Sequence, residues 1–301
     1  MRYFTEENAV TASINLYRKR FKTYFKISLI SHLWFLVPIY GWAKFFAGLA
    51  IISRLAFSEI NGKTETVTEA QKHINPKLWK FFLASILASL GFAYRAFLWV
   101  ILWSISSGLL SSLLILLLPS LWSINYGLGA LFSIVFFVMM LFIYAWFFIK
   151  SIEIYSPFFI YKIPLAIEED ITSSTTITRS RQLVQGLRRS VVKTIILPVF
   201  TTTPIIILFT VLWLFISGFI TRVISPNSEE FTSLWIEQVI WIIYWSCFNI
   251  LFTPFWQTLK SMVYYNLRCQ KEAFDLPTTL SSSISYSYDD AGDFSGVGSE
   301  S

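Results

Sequence analysis

The sequence predicts an all-α integral membrane protein of about six transmembrane helices with interfacial amphipathic helices, and three observations predict it. Residues 96–149 run for 54 positions without Asp, Glu, Lys, Arg or His. At about 1.5 Å of rise per helical residue, that tract crosses a hydrocarbon core of roughly 30 Å twice. The 301-residue chain is 55% hydrophobic and 14% charged, with a mean hydropathy of +0.59, well outside the usual soluble mixture. Its Lys and Arg residues gather in blocks between apolar runs, as the positive-inside rule requires.

Residues 1–26 are expected to form a cytoplasmic amphipathic helix, because Val10, Ile14, Tyr17, Phe21 and Phe25 recur at helical spacing beside Arg18, Lys19, Lys22 and Lys26. The polar start lacks the pattern of a secretory leader, so insertion is expected to use the first retained span. Residues 27–37 and 42–57 then form two crossings joined by a turn at Pro38–Gly41, with residues 58–77 as a loop. A third crossing starts at Leu78 and ends near residue 100. The apolar stretch 104–118 lies in the far interface or re-enters, and residues 127–149 cross back. Residues 150–193 form a cytoplasmic segment, and 194–221 and 235–258 form the last two spans. The polytopic domain therefore covers 27–274, and the Ser-rich stretch 275–301 reads as a disordered tail.

Twenty of the twenty-four Lys and Arg residues fall within 1–26, 58–80, 150–193 and 260–271, which places both termini in the cytoplasm. The net charge of +6 is spread beside apolar spans and is not concentrated on one aromatic-studded face. Membrane lipids, anionic ones above all, together with unidentified protein partners, are thus the expected partners. Nucleic acid is not. Cys247 and Cys269 make neither a CxxC pair nor a disulfide framework.

Two motifs resemble a known family. Residues 167–186 place Glu168, Glu169 and Asp170 ahead of a helix carrying Thr176, Ser180, Leu183 and Gly186, and residues 264–276 read YYNLRCQKEAFDL. Both are similar to bacterial membrane proteins related to the membrane domain attached to some glycerophosphoryl diester phosphodiesterases. Thr176 stands where that family usually has Ala, and Asn266 where it usually has Asp. The likeness implies a multi-pass architecture in a bacterial inner membrane, and says more about fold than about activity.

No catalytic, cofactor or metal site is expected. His32 and His73 lie on different segments without HExxH spacing, and the chain has no room for the phosphodiesterase barrel. His32 reads as hydrogen-bonded structure and His73 as a solvated loop residue. Counted from Leu78, Arg95 falls about 26 Å along a helix, which predicts snorkelling to the far interface. The acidic run 168–170 suits a helix N-terminus. The string Pro198-Val-Phe-Thr-Thr-Thr-Pro204 marks a broken fifth span, where Thr201, Thr202 and Thr203 either heal a kink or line a substrate pocket. In the cytoplasmic segment, Ile177, Val184, Leu187 and Val191 form an apolar stripe that leaves Arg181, Arg188 and Arg189, with Arg268 after the last span, to contact lipid or a partner.

The expected function is therefore non-enzymatic: a structural or regulatory membrane protein that binds partners or anionic lipids through its basic cytoplasmic face. A transporter or lipid-handling protein with its site at the fifth span is the alternative.

Overall fold

A computed structural model describes residues 6–224 and 230–272. The expected tail, 275–301, and the side chains of Arg222 and Glu237 lie outside the described residues. The described residues contain helices and no strand, in the order α1 (Glu6–Lys19), α2 (Phe21–Trp34), α3 (Tyr40–Ile60), α4 (Val67–Ile74), α5 (Leu78–Ile124), α6 (Tyr126–Tyr155), α7 (Lys162–Ile167), α8 (Thr175–Val184), α9 (Arg188–Ile224) and α10 (Glu230–Glu272).

Among the described residues, four helices are long and apolar enough to cross a membrane: α5, α6, α9 and α10. The first pair of the six expected spans, α2 and α3, is not among these four. With 14 residues, α2 is about 21 Å long, short of a hydrocarbon core of roughly 30 Å. The 21 residues of α3 include Lys44, Arg54 and Glu59. Instead of standing alone, these two helices form a tight hairpin packed on α10. Gly41 and Gly48 set its closeness: a Cβ on Gly41 would lie 1.9 Å from the Trp34 carbonyl oxygen, and one on Gly48 would lie 1.9 Å from Ser31 Oγ. Ala43, Ala47 and Ala50 continue this small, buried face.

The stretch 104–118 is not a separate segment, because α5 runs unbroken for 47 residues, about 70 Å. No charge or glycine cluster interrupts residues 104–118, and their serines return their hydroxyls to the preceding turn, as Ser112 does to Gly108 O at 2.8 Å. Helix α6 runs back along α5, with Trp103 4.9 Å from Tyr144 and 4.3 Å from Phe147, centroid to centroid. Asn125 closes the tip by accepting from the Gly127 backbone N–H at 2.7 Å, and Trp122 lies against Gly129. The apolar side chains of this hairpin face outward, including Leu109, Leu116, Phe137 and Phe142.

A second hairpin, α9 with α10, is joined within the apolar zone by Thr210 Oγ1 and Tyr244 Oη at 2.7 Å. Its body-side ends are buried with α1, α3 and α8 around Leu183, Val191, Leu259, Tyr264 and Tyr265. A second core joins α3 to the start of α5 and to α7 through Ile52, Leu55, Phe81 and Leu165.

Two further boundaries differ from expectation. The N-terminal helix breaks at Arg20, and its buried face is Ala9, Val10 and Ser13, leaving Ile14 and Phe21 exposed; α1 packs on α9 and α10. The stretch read as a loop contains α4, opened by a capping box in which Thr66 Oγ1 accepts from Glu69 N–H and the Glu69 carboxylate accepts from Thr66 N–H.

Candidate lipid-contact site

The candidate residues read from the sequence fall on α8, on α9 and near the end of α10. The apolar stripe expected in residues 150–193 is divided between two helices, because Gly186 adopts φ +85° and ends α8, a conformation that disfavours any side chain. Ile177 and Val184 therefore belong to α8, and Leu187 and Val191 to the turn and α9.

The Thr176, Ser180, Leu183 pattern is the buried face of α8, each residue no more than 1% exposed. Thr176 Oγ1 donates to Tyr161 O at 2.6 Å, and Ser180 Oγ donates to Pro157 O at 2.7 Å. Small hydroxyl residues thus bring α8 onto the chain that follows α6 and satisfy carbonyls there. The acidic run does not open α8. Glu168 caps the C-terminus of α7, while Thr172 and Thr175 exchange backbone and side-chain hydrogen bonds ahead of α8.

The two motifs meet. Arg179 pairs with Glu168 at 3.4 Å and with Glu272, Tyr264 donates its hydroxyl to Glu168, and Arg268 Nε pairs with Glu272 at 2.8 Å. Desolvation lowers the Arg179 pKa, but the charges of Glu168 and Glu272 outweigh it and leave the group above its ordinary value. This cluster ties the end of α10 to α7 and α8.

The four arginines consequently have different surroundings. Arg268 is tied to Glu272 and also lines a cleft of about 560 Å³ with Arg54, Asn61, Lys63, Glu65 and Glu69. Arg188 donates through Nε to Glu153 O at 2.9 Å, a cation against the C-terminal turn of α6. Arg189 is exposed. Arg181 is exposed as well, with its guanidinium 5.0 Å from the Phe158 ring centroid.

Arg95, assigned from the sequence to the far interface, lies on the same ring at 5.6 Å. The earlier depth assumed an upright helix entering the bilayer at Leu78, whereas the first turns of α5 are packed into the body. Arg95 and Lys150 instead bracket the uncharged 96–149 hairpin, and Trp99 stacked on Phe147 at 5.6 Å sets their common register.

Thr201, Thr202 and Thr203 do not mark a break. Helix α9 is continuous through Pro198 and Pro204, and the three hydroxyls donate to Pro198 O and Val199 O of their own helix at 3.1, 2.6 and 2.6 Å. The kink chemistry expected there occurs at Pro254. A proline at that position cannot donate to Ile250 O, and Ser28 Oγ supplies the missing donor at 2.8 Å while Tyr17 Oη donates to Leu251 O at 2.8 Å. His32 Nδ1 lies 2.8 Å from Ser28 O, and His73 Nε2 lies 3.1 Å from Lys77 Nζ.

Fold and site together define an all-helical membrane protein in which two long apolar hairpins rise from a polar, cross-tied body. No family model matches the chain, and no curated protein or solved structure matches it.

Proposed function

We propose that this chain is a non-enzymatic membrane protein whose body lies on the cytoplasmic face, where it binds anionic lipid and thereby serves a structural or regulatory role. The observation that carries the reading is the placement of cations where apolar surface begins. Arg95 and Lys150 bracket one uncharged hairpin, and Lys193 and Lys260 stand at the body-side ends of the apolar tracts of the other. Anionic headgroups are the complementary charge available at such a boundary.

The cytoplasmic side follows from the basic blocks 1–26, 58–80, 150–193 and 260–271, all of which belong to the body-side segments. A bacterial inner membrane remains part of the proposal on the strength of the two motifs. The test is reconstitution into phosphatidylcholine nanodiscs doped with phosphatidylglycerol, followed by quantification of the lipid retained on purification. Enrichment of phosphatidylglycerol around the protein is the expected result, and a retained pool with the composition of the starting mixture would remove the support for lipid binding.

A further inference from the structure

Arg95 and Arg181 come from helices far apart in sequence, yet both guanidinium groups lie over Phe158, at 5.6 and 5.0 Å from its centroid. Gly91 lies beside the ring and Arg181. It lies one turn before Arg95 on α5, and a Cβ there would come within 3.3 Å of the Phe158 ring and 3.7 Å of an Arg181 terminal nitrogen. The Arg181 guanidinium therefore packs against α5 at Gly91, in ordinary contact distance of that position.

Two like charges beside one ring repel each other, and an anion between or beside them relieves that repulsion, the more so where apolar surface or lipid excludes water. Elsewhere in the body, Arg54, Arg179 and Arg268 each have a carboxylate partner, but no carboxylate lies within ion-pair distance of Arg95 or Arg181 among the described residues. Partial desolvation first, and the charge of Arg95 second, lower the pKa of Arg181 from its ordinary value, which is the direction expected of a cation lacking its counter-charge.

The surroundings select the kind of anion. On either side of Arg95 the surface of α5 is apolar and open: Leu90 is 63% exposed, Tyr94 70%, Phe97 63% and Leu98 50%. A free anion leaves that surface uncovered, whereas a phospholipid covers it with acyl chains while its phosphate meets the guanidinium groups. Planar guanidinium groups suit phosphate oxygens through paired N–H donors.

We infer that Arg95 and Arg181, aligned on Phe158 beside Gly91, form a binding site for the phosphate of an anionic phospholipid whose acyl chains lie along α5. The inference rests on the lipid-binding reading above and names the site responsible for it. The test compares the wild-type chain, Arg95→Gln/Arg181→Gln, Arg95→Lys/Arg181→Lys and the charge-matched control Lys63→Gln/Lys72→Gln. Each is reconstituted in nanodiscs of phosphatidylcholine doped with phosphatidylglycerol, and the lipid retained on transfer to detergent is measured by native mass spectrometry.

The wild type and the control should retain phosphatidylglycerol, the glutamine pair should lose it about tenfold, and the lysine pair should fall between them, because charge persists without the two-pronged geometry. The lysine pair also keeps the test decisive if the glutamine pair fails to fold. A wild type that selects phosphatidylglycerol while both arginine pairs select it equally well overturns this site but leaves the broader lipid-binding reading intact. A wild type with no selectivity overturns both. Inorganic phosphate that displaces the retained lipid at equal concentration would overturn the lipid assignment in favour of the free anion.

Discussion

Single atoms at helix contacts decide whether the body closes. Gly41 faces the Trp34 carbonyl, a backbone atom that cannot rotate away from a new methyl group at 1.9 Å, so Gly41→Ala must separate α2 from α3. It should lower stability by about 1–3 kcal/mol, the usual range for overpacking, as read from denaturant unfolding in detergent. Gly218→Ala on α9 meets no atom within 4 Å and should leave the midpoint unchanged or slightly raised. A second residue-scale effect concerns the carbonyl freed by Pro254. Ser28→Ala removes the donor to Ile250 O and should cost about 1 kcal/mol. Pro254→Ala restores the backbone donor, so Ser28→Ala should cost less in that background. Equal costs in the two backgrounds, measured as a double-mutant cycle, would show that the serine does not serve the proline.

At the scale of elements, what was legible followed from hydropathy, and what was missed depended on contacts between distant segments. The span boundaries at 127–149, 194–221 and 235–258 all fall inside α6, α9 and α10, because uninterrupted apolar residues report helix and lipid exposure together. Nothing local reveals that Phe81 and Ala84, three to four turns before Arg95, are buried in the body, so the helix from Leu78 does not start at a lipid surface. Arg95 and Arg181, the pair proposed to hold phosphate, lie 86 residues apart in sequence, and only the fold brings both onto Phe158. Helix α4, in contrast, carried a readable signal in Thr66 and Glu69, the capping-box spacing. Two prolines in α9 suggested a broken span, yet the Thr201–Thr203 hydroxyls bond within their own helix and line neither described cavity. Replacing all three with valine should therefore leave folded yield and unfolding midpoint nearly unchanged, within about 1 kcal/mol, since back-bonding by threonine to the preceding turn adds little to a helix. A large loss of folded protein would show that these hydroxyls have partners outside α9.

For the molecule as a whole, the open question of physical consequence is how deep the α2–α3 hairpin reaches. Six crossings would bring its turn, residues 35–39, into water on the far side, and such a turn ordinarily carries polar residues. The observed turn is Phe-Leu-Val-Pro-Ile, with Leu36 78% and Ile39 58% exposed. Much of its backbone is bonded from within: Phe35, Leu36 and Val37 donate to His32, Leu33 and Trp34, Tyr40 N–H donates to Pro38 O, and Trp42 Nε1 donates to Phe35 O at 3.1 Å. Apolar side chains around a largely bonded backbone suit an apolar or interfacial setting better than open water. The short α2 and the bonds from Ser28 to Ile250 O and Tyr17 to Leu251 O place the hairpin beside the body-side half of the last span. A hairpin that enters and leaves through the body-side face accounts for all three features. In a background where Cys247 and Cys269 are replaced by serine, a cysteine at Asn125 should react from outside intact cells with a membrane-impermeant maleimide, because that residue closes the α5–α6 tip. A cysteine at Lys63 should react only after permeabilisation. One at Leu36 should stay protected in both conditions until detergent is added, whereas labelling of Leu36→Cys from outside would restore the six-crossing arrangement.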